Sequence, residues 1–171
     1  NLVAGGSEGF FTTRLDALLD WGGAHYLDLG RSNELYEEAL DLAAEGSPDR
    51  AILCHVALAE NSHRAYRFRD ALDRLALVEA IIEREGCSDL TRLLQRQRGV
   101  TYMNMGELDL ARRDFVAGQS NAVELPDSIE ALINLGYLEK EAGDYALSEK
   151  YSRASLDLAE AQKDRAMPAN I

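Results

Sequence analysis

Small and apolar residues recur along this chain at intervals that predict pairs of helices. The clearest instance is the segment RGVTYMNMGELDLARRDFVAG, residues 98–118, with intervals of 3, 4, 5, 4 and 3 between Gly99, Tyr102, Gly106, Ala111, Phe115 and Gly118. Steps of three and four keep residues on one face of a helix, whereas the step of five at Gly106 predicts a reversal of the chain. We therefore expect two antiparallel helices that approach closely at Gly99 and Ala111, with the aromatic residues filling the seam.

Three further segments repeat these intervals. They share small residues where two helices would approach and larger residues on either side: Gly23, Tyr26, Gly30, Leu35, Ala39 and Leu42; Ala59, Ser62, Tyr66, Ala71, Leu75 and Val78; Gly136, Glu139, Gly143, Tyr151 and Ala154. The last set is one residue shorter after its turn. Four helical hairpins are predicted, over residues 13–46, 47–86, 88–123 and 126–162.

Start and stop signals bound these hairpins. Thr13 is typical of a helix N-cap, so residues 1–12, which are rich in glycine, are predicted to form a flexible arm before the first helix. The dipeptide Ser47-Pro48 is typical of a helix N-terminus, because proline needs no amide donor in the first turn. Residues 164–171 resemble the start of the fourth hairpin, and we expect them to begin a further, truncated repeat.

This arrangement resembles the tetratricopeptide repeat (TPR), which pairs a glycine and a tyrosine in one helix with an alanine and an aromatic in the next. Phrases such as ALINLGYLEKEAGDY are similar to the MalT-like TPR regions of large bacterial signalling and transcription regulators. Ser62, Tyr66 and Glu139 depart from the family pattern. The resemblance implies an all-α, right-handed superhelix (α-solenoid) of four hairpins and about eight helices, in a single array over residues 13–163. It also implies that the array is a binding scaffold.

Composition narrows the class of partner. The chain has 171 residues, of which 46% are hydrophobic and 28% charged, and its net charge is −12. This acidic balance argues against binding nucleic acid or a membrane surface, because both need an excess of cations. Cys54 and Cys87 are too few for a disulfide framework, which favours a reducing, cytoplasmic location. A protein or peptide is therefore the expected partner.

Recognisable motifs for catalysis, metal binding or cofactor binding are missing. His55 and His63 are eight residues apart, too far for two ligands of one metal without a third ligand from elsewhere. The pairs Gly5-Gly6 and Gly22-Gly23 follow no predicted strand and precede no GKS or GKT, so they are not phosphate loops. We predict that the chain is not an enzyme, and we expect no metal and no cofactor.

Surface residues of the first helix in each hairpin are the remaining candidates for function. In stacked hairpins these helices line the concave side, and positions about 40–140° round the axis from each small residue face the groove. The predicted binding residues are Arg64, Arg96, Val100, Met103, Asn104, Tyr137 and Lys140. Arg96 is the predicted donor to a peptide carboxylate. Two alternatives stay open: the cations neutralise Glu60, Glu130 and Glu141, and Leu53, Val56, Leu93 and Ile133 form core between repeats.

The favoured hypothesis is a scaffold module that binds a protein or peptide in the concave groove, within a larger bacterial regulatory or signalling protein. One alternative is self-association through the ends of the array, where apolar helix faces would stack on another copy. Another alternative is a domain that senses a signal peptide or a small ligand. Sedimentation distinguishes self-association from the others, and a closed, ligand-sized pocket would favour the sensor.

Overall fold

A computed structural model describes the backbone of residues 4–25, 27–43 and 46–166, and the side chains of residues 14–163 within those ranges. This part of the chain is all-helical, as predicted, and contains no strand. The helices are α1 (Ala4–Ala24), α2 (Leu29–Ala43), α3 (Pro48–Arg64), α4 (Phe68–Glu85), α5 (Thr91–Asn104), α6 (Leu108–Ser120), α7 (Leu125–Glu141) and α8 (Tyr145–Ala166), with a 3-10 turn at Ser88–Leu90. Helix α8 therefore includes residues 164–166 of the predicted tail, and the rest of that tail lies outside the described residues.

Helices that are adjacent in the chain pack together within two compact units. The first unit, Asn1–Leu90, holds α1 to α4, and each of these helices packs against the next. The second unit, Thr91–Ile171, holds α5 to α8, also packed in order, and α5 contacts α7 as well. The boundary between the two units lies after Leu90, within the span of residues 13–163 that the sequence predicts to be one array. This boundary lies four residues after Gly86, the left-handed residue that ends α4.

Three of the four predicted hairpins turn in the same way. One residue of each turn is left-handed, with φ of 59° at Tyr66, 81° at Gly106 and 84° at Gly143. The following N–H donates to the carbonyl five residues earlier, at 2.9–3.0 Å, in the pairs Arg67 to Ser62, Glu107 to Tyr102 and Asp144 to Glu139. This hydrogen bond is that of a Schellman motif. The interval pattern therefore located these turns correctly, including the turn in which Tyr66 replaces glycine.

The predicted flexible arm is wrong for residues 4–12, because α1 begins at Ala4 rather than near Thr13. Leu15 and Leu18 of this helix are buried in the core of the first unit. These contacts hold the helix in place, and each residue added to an existing helix gains a hydrogen bond. The helix consequently extends through its glycines despite a cost of about 1 kcal/mol for each.

The first hairpin turns earlier than the interval pattern predicted. Helix α1 ends at Ala24, and Asp28 accepts a hydrogen bond from the Arg31 N–H at 3.0 Å at the start of α2. Gly30, predicted to mark the turn, therefore lies inside α2. The Asp28 side chain caps α2, so this turn needs no glycine. The interval pattern placed the turn wrongly because it expects a glycine there. Tyr26 lies outside the described residues.

The two helices of the first hairpin approach each other at Gly22 rather than at Gly23. Ser32 of α2 is buried and donates from Oγ to the Gly22 carbonyl at 2.9 Å. A methyl group on Gly22 would lie 2.7 Å from the ring of Tyr36, whereas Gly23 is exposed. The earlier turn moves the point of closest approach by one residue along α1.

The fourth hairpin keeps the full interval pattern, without the predicted shortening. The residues at the positions of Ala111, Phe115 and Gly118 in the third hairpin are Ser148, Ser152 and Ser155. Ser148 Oγ donates to the Gly136 carbonyl at 2.8 Å, and a methyl group on Gly136 would lie 3.2 Å from Ser152 Oγ. Tyr151, predicted to fill this position, packs against the core of the second unit. The prediction was wrong because an aromatic residue was expected at the position of Phe115, where the fourth hairpin has Ser152.

The packing residues predicted for the second and third hairpins are in the core. Ala59, Ala71 and Ala111 are completely buried. Gly99 is buried against Phe115, and Tyr102 packs on the same cluster. In the fourth hairpin Gly136 is buried and Ala154 is half-buried. The intervals thus identified the seam of each of these hairpins, although not every residue opposite the small one.

Two histidines of α3 are partly buried in the first unit. His55 Nδ1 is buried without a hydrogen-bond partner, near the ion pair of Arg74 with Glu37. Desolvation lowers the pKa of His55, Arg74 lowers it further, and Glu37 opposes this shift. Desolvation also lowers the pKa of His63, whose ring centroid lies 5.3 Å from that of Phe68. Both rings therefore favour the neutral form in the folded chain.

Alanine substitution of two helical glycines should have opposite effects on stability. A methyl group on Gly99 would lie 2.5 Å from Phe115 Cε1, so Gly99→Ala should lower the free energy of unfolding by about 1–3 kcal/mol through overpacking. A methyl group on Gly118 meets no atom nearer than 3.8 Å, so Gly118→Ala should raise it by about 0.5–1 kcal/mol through helix propensity. Urea unfolding followed by circular dichroism measures both, and equal effects would contradict the described packing of α5 on α6.

The stability of the chain should fall as the pH drops below the unfolded pKa of histidine, about 6.5. The folded-state pKa of His55 is lowered, so the unfolded chain binds protons more readily and acidification favours unfolding. Urea unfolding at about pH 7.5 and pH 5.5 should show this loss, and His55→Gln should reduce it. His25→Gln, at an exposed position, is the matched control. An unchanged pH dependence in His55→Gln would contradict the assignment.

Candidate functional site

Six of the seven predicted binding residues lie on two helices of the second unit. Helix α5 carries four of them and α7 carries two: Arg96, Val100, Met103 and Asn104, then Tyr137 and Lys140. These helices contact each other, so the six residues belong to one region of that unit. Arg64, the seventh, is the last residue of α3 in the first unit, where it is half-buried.

Arg96 is paired with an acidic residue of α7 rather than open to a ligand. Its Nη1 lies 3.1 Å from Glu130 Oε1, while Arg92 contacts Glu130 Oε2 at 3.2 Å and Asp127 Oδ1 at 2.7 Å. The cavity beside these groups has a volume of about 10 Å³, room for roughly one water molecule. For Arg96 the structure therefore favours neutralisation of Glu130, the alternative that the sequence left open. A ligand carboxylate would have to displace Glu130 to reach this guanidinium.

The other α5 residues are occupied by contacts within the second unit. Val100 and Met103 are half-buried and pack on the cluster that includes Leu135 and Leu138 of α7. Asn104 Nδ2 donates to the Val100 carbonyl at 2.9 Å, one turn earlier in the helix. Val100 and Met103, predicted as binding residues, thus serve as core between the third and fourth hairpins.

Tyr137 and Lys140 line a pocket between α7 and α8, here named the serine pocket. Its volume is about 300 Å³, and it is lined by Ile133, Gly136, Tyr137, Lys140, Ser148, Ser152 and Ser155. Ile133 is 41% exposed and Tyr137 is 58% exposed, so apolar surface borders the pocket on the α7 side. Lys140 makes no ion pair with any described residue. The two α7 residues predicted as binding residues therefore lie where the second unit is open.

The hydroxyls of the serine pocket offer mainly hydrogen-bond acceptors. Ser148 Oγ donates to the Gly136 carbonyl at 2.8 Å, and Ser155 Oγ donates to the Ser152 carbonyl at 2.8 Å. Each hydroxyl has a single proton, so these two oxygens have only lone pairs left to offer a ligand. A ligand group with an N–H or O–H donor suits this wall of the pocket.

The three serines were missed by the sequence analysis. The interval set of the fourth hairpin placed Tyr151 opposite Gly136, one position before Ser152. A signal was nevertheless present, since Ser148, Ser152 and Ser155 stand at the same intervals from Gly143 as Ala111, Phe115 and Gly118 stand from Gly106. Strict use of the intervals would have predicted a small residue opposite Gly136 and hence a space.

Other chemistry-bearing groups of the described residues form no further site. Groups of three or more His, Cys, Asp and Glu that could hold a metal do not occur among them. Burial raises the pKa of the Cys54 thiol to about 12, so this thiol is protonated at neutral pH. None of the described helices has the length and apolar character that a membrane span requires.

Comparison with known proteins identifies a similar fold but no family. No protein-family model matches the chain, and no curated protein matches it. Among solved structures, the crystal structure of BtubC (BKLC) from P. vanneervenii is similar, with a TM-score of 0.69 and 19% sequence identity. The match covers 84% of this chain and 60% of that one. At this level of identity the two chains are shown to share a fold.

Proposed function

We propose that this chain is a helical-repeat module of the tetratricopeptide kind that binds a protein or peptide segment at the serine pocket. The observation that carries the proposal is the pocket itself, about 300 Å³ between α7 and α8, bordered by the exposed Tyr137 and the cation of Lys140. Tyrosine is enriched among residues that dominate binding energy, since its ring gives contact area and its hydroxyl gives direction.

The exposure of the pocket wall favours a macromolecular segment over a small ligand. Sites for small molecules enclose about 70–90% of the ligand surface. Here Ile133 and Tyr137 remain about half exposed, so the pocket is a recess rather than an enclosure. A side chain presented by a protein fits a recess, because the rest of its partner covers the rim. The net charge of −12 favours a partner with basic residues.

The wider context is proposed from the sequence. The repeated intervals and the three identical turns support the tetratricopeptide assignment. The likeness of the fourth hairpin to MalT-like TPR regions supports a place in a larger bacterial regulatory or signalling protein of the cytoplasm. In such a protein this module would hold a partner and would catalyse no reaction.

Loss of the Tyr137 ring should weaken binding of peptides selected for this chain. Peptides of about 17 residues, five helical turns, would be selected from a random phage-displayed library on the immobilised chain. Fluorescence anisotropy would then give Kd for the wild type and two variants. Tyr137→Ala should raise Kd about tenfold or more, because an aromatic contact is removed.

The matched control is Tyr145→Ala, which removes a tyrosine that is 71% exposed at the start of α8 and outside the pocket lining. This variant should bind as the wild type does. Equal Kd values for Tyr137→Ala and the wild type, with every selected peptide, would show that the binding surface lies elsewhere.

A further inference from the structure

The second unit contains one groove between paired helices that is already filled by a helix. Residues of α5 and α6, namely Arg96, Phe115 and Gly118, face Glu130, Ala131 and Asn134 of α7 across a gap of only about 10 Å³. Ala131 of α7 and Phe115 of α6 line this gap together, and Glu130 Oε1 of α7 lies 3.1 Å from Arg96 Nη1. This contact shows which side chains of a helix pack into the groove of a hairpin in this chain.

The serine pocket occupies the same place on the next hairpin. Its lining residues Ile133, Ser152 and Ser155 each stand 37 positions after Arg96, Phe115 and Gly118. In the described residues no helix covers this second groove, and its volume is about 300 Å³. The serine pocket is therefore the counterpart of the surface on which α7 packs.

Differences between the two grooves specify a different occupant. Ile133 replaces Arg96, so an apolar side chain suits the place where α7 carries Glu130. Ser152 replaces Phe115, so the space of the missing ring is available to a larger side chain at the place of Ala131. The hydroxyls there offer acceptors, which suits the indole N–H of tryptophan.

A third difference concerns charge. Arg112 of α6 binds the buried Glu139 of α7 through two hydrogen bonds of 2.8 and 2.9 Å. The residue 37 positions after Arg112 is Glu149 of α8, which carries the opposite charge. It pairs with Arg153 at 2.7 Å on the surface of its own helix and keeps most of its side chain exposed. An occupant should therefore carry a cation where α7 carries Glu139.

We propose that the serine pocket receives an amphipathic helix of a binding partner, seated on α7 and α8 as α7 is seated on α5 and α6. This inference rests on the proposed function and names the partner's form. The docked helix carries an apolar residue, then an aromatic residue with an N–H donor, and a basic residue about two turns further on. These side chains meet Ile133, the serines and Glu149 respectively.

A peptide derived from α7 tests the proposal directly. The probe is a labelled peptide of residues 125–141 with the substitutions Glu130→Leu, Ala131→Trp and Glu139→Lys. The control is the same peptide without substitutions, which matches the filled groove instead. Fluorescence anisotropy should show that the probe binds the full chain about tenfold more tightly or better than the control does. Equal binding of the two peptides would overturn the proposal.

Protein variants locate the contact. Ser152→Phe restores a ring over Gly136 and should weaken binding of the probe about tenfold or more, whereas Ser152→Ala keeps the space and should retain most of the affinity. Glu149→Lys should reverse the preference between the probe and a version that keeps Glu139. Circular dichroism of each variant shows whether its fold is intact. An intact Ser152→Phe variant that binds the probe as the wild type does would refute the contact.

Two further outcomes separate this inference from the proposed function. Library-selected peptides that need Tyr137 but are indifferent to Ser152→Phe would refute the docked helix and leave the proposed function standing. Sedimentation velocity tests a second copy as the occupant. A dimer of the wild type that Ser152→Phe dissociates would overturn the proposal, because the groove would then bind this chain itself.

Discussion

The first and third hairpins depend on one kind of close contact, in which the ring of an aromatic residue packs against a glycine of the preceding helix. A methyl group on Gly99 would lie 2.5 Å from Phe115, and one on Gly22 would lie 2.7 Å from Tyr36. Because glycine has no side chain, the ring lies against the helix backbone and Phe115 is only 2% exposed. Burial of a ring of this kind contributes roughly 1.5–3 kcal/mol, a substantial part of the stability of a small unit.

The serine pocket follows from the loss of that ring in one hairpin. Gly136 keeps the helices close, but Ser152 stands where Phe115 stands in the preceding pair. The space is therefore not filled from within, and the apolar surface of Ile133 and Tyr137 stays partly exposed. The hairpin forgoes the burial of an aromatic ring, and a partner side chain would supply that burial on binding. The missing ring at Ser152 therefore accounts both for the open packing of this hairpin and for the proposed binding site.

Buried ion pairs then set how successive helices of the second unit meet. Asp114 is 2% exposed and is held by Arg98 at 2.8 and 2.9 Å, and Glu139 is 3% exposed and is held by Arg112. A buried carboxylate that loses its partner costs about 3–5 kcal/mol, so any other register of α6 on α7 is strongly disfavoured. Such pairs add little net stability, but they specify which residues face each other.

The first and second units illustrate two solutions to the same problem at buried polar positions. In the first unit the amide of Asn61 donates to Ser32 Oγ at 2.9 Å, and Ser32 in turn donates to Gly22, which links α1, α2 and α3 through neutral groups. In the second unit charged pairs link α5 to α6 and α6 to α7, and a neutral bond from Ser148 Oγ to the Gly136 carbonyl links α8 to α7. Asn61, Ser32 and the two buried carboxylates all have partners, as the cost of leaving such groups unsatisfied requires, whereas His55 Nδ1 of the first unit has none.

The sequence by itself determined the helical class, the pairing of neighbouring helices and three of the four turns. These features depend on local constraints: a left-handed residue at the turn, small residues at a helical interval and capping signals at the ends. The same information failed where a different local device was used, as at the first turn, where Asp28 begins α2 and the small residue becomes Gly22. It also could not show that α1 extends to Ala4, because packing of the helix outweighed its glycine content.

Tertiary structure alone decided which candidate residues are available to a partner. Arg96 and Glu130 are 34 positions apart, and only the packing of α7 on α5 brings them within 3.1 Å, so the cation predicted to bind a ligand is already neutralised. Tyr137 and Lys140 are open because the groove beside them lacks both a ring and a covering helix among the described residues. Sequence intervals record which face of its helix a residue occupies. Whether that face is covered depends on contacts between helices, and these form only in the folded chain.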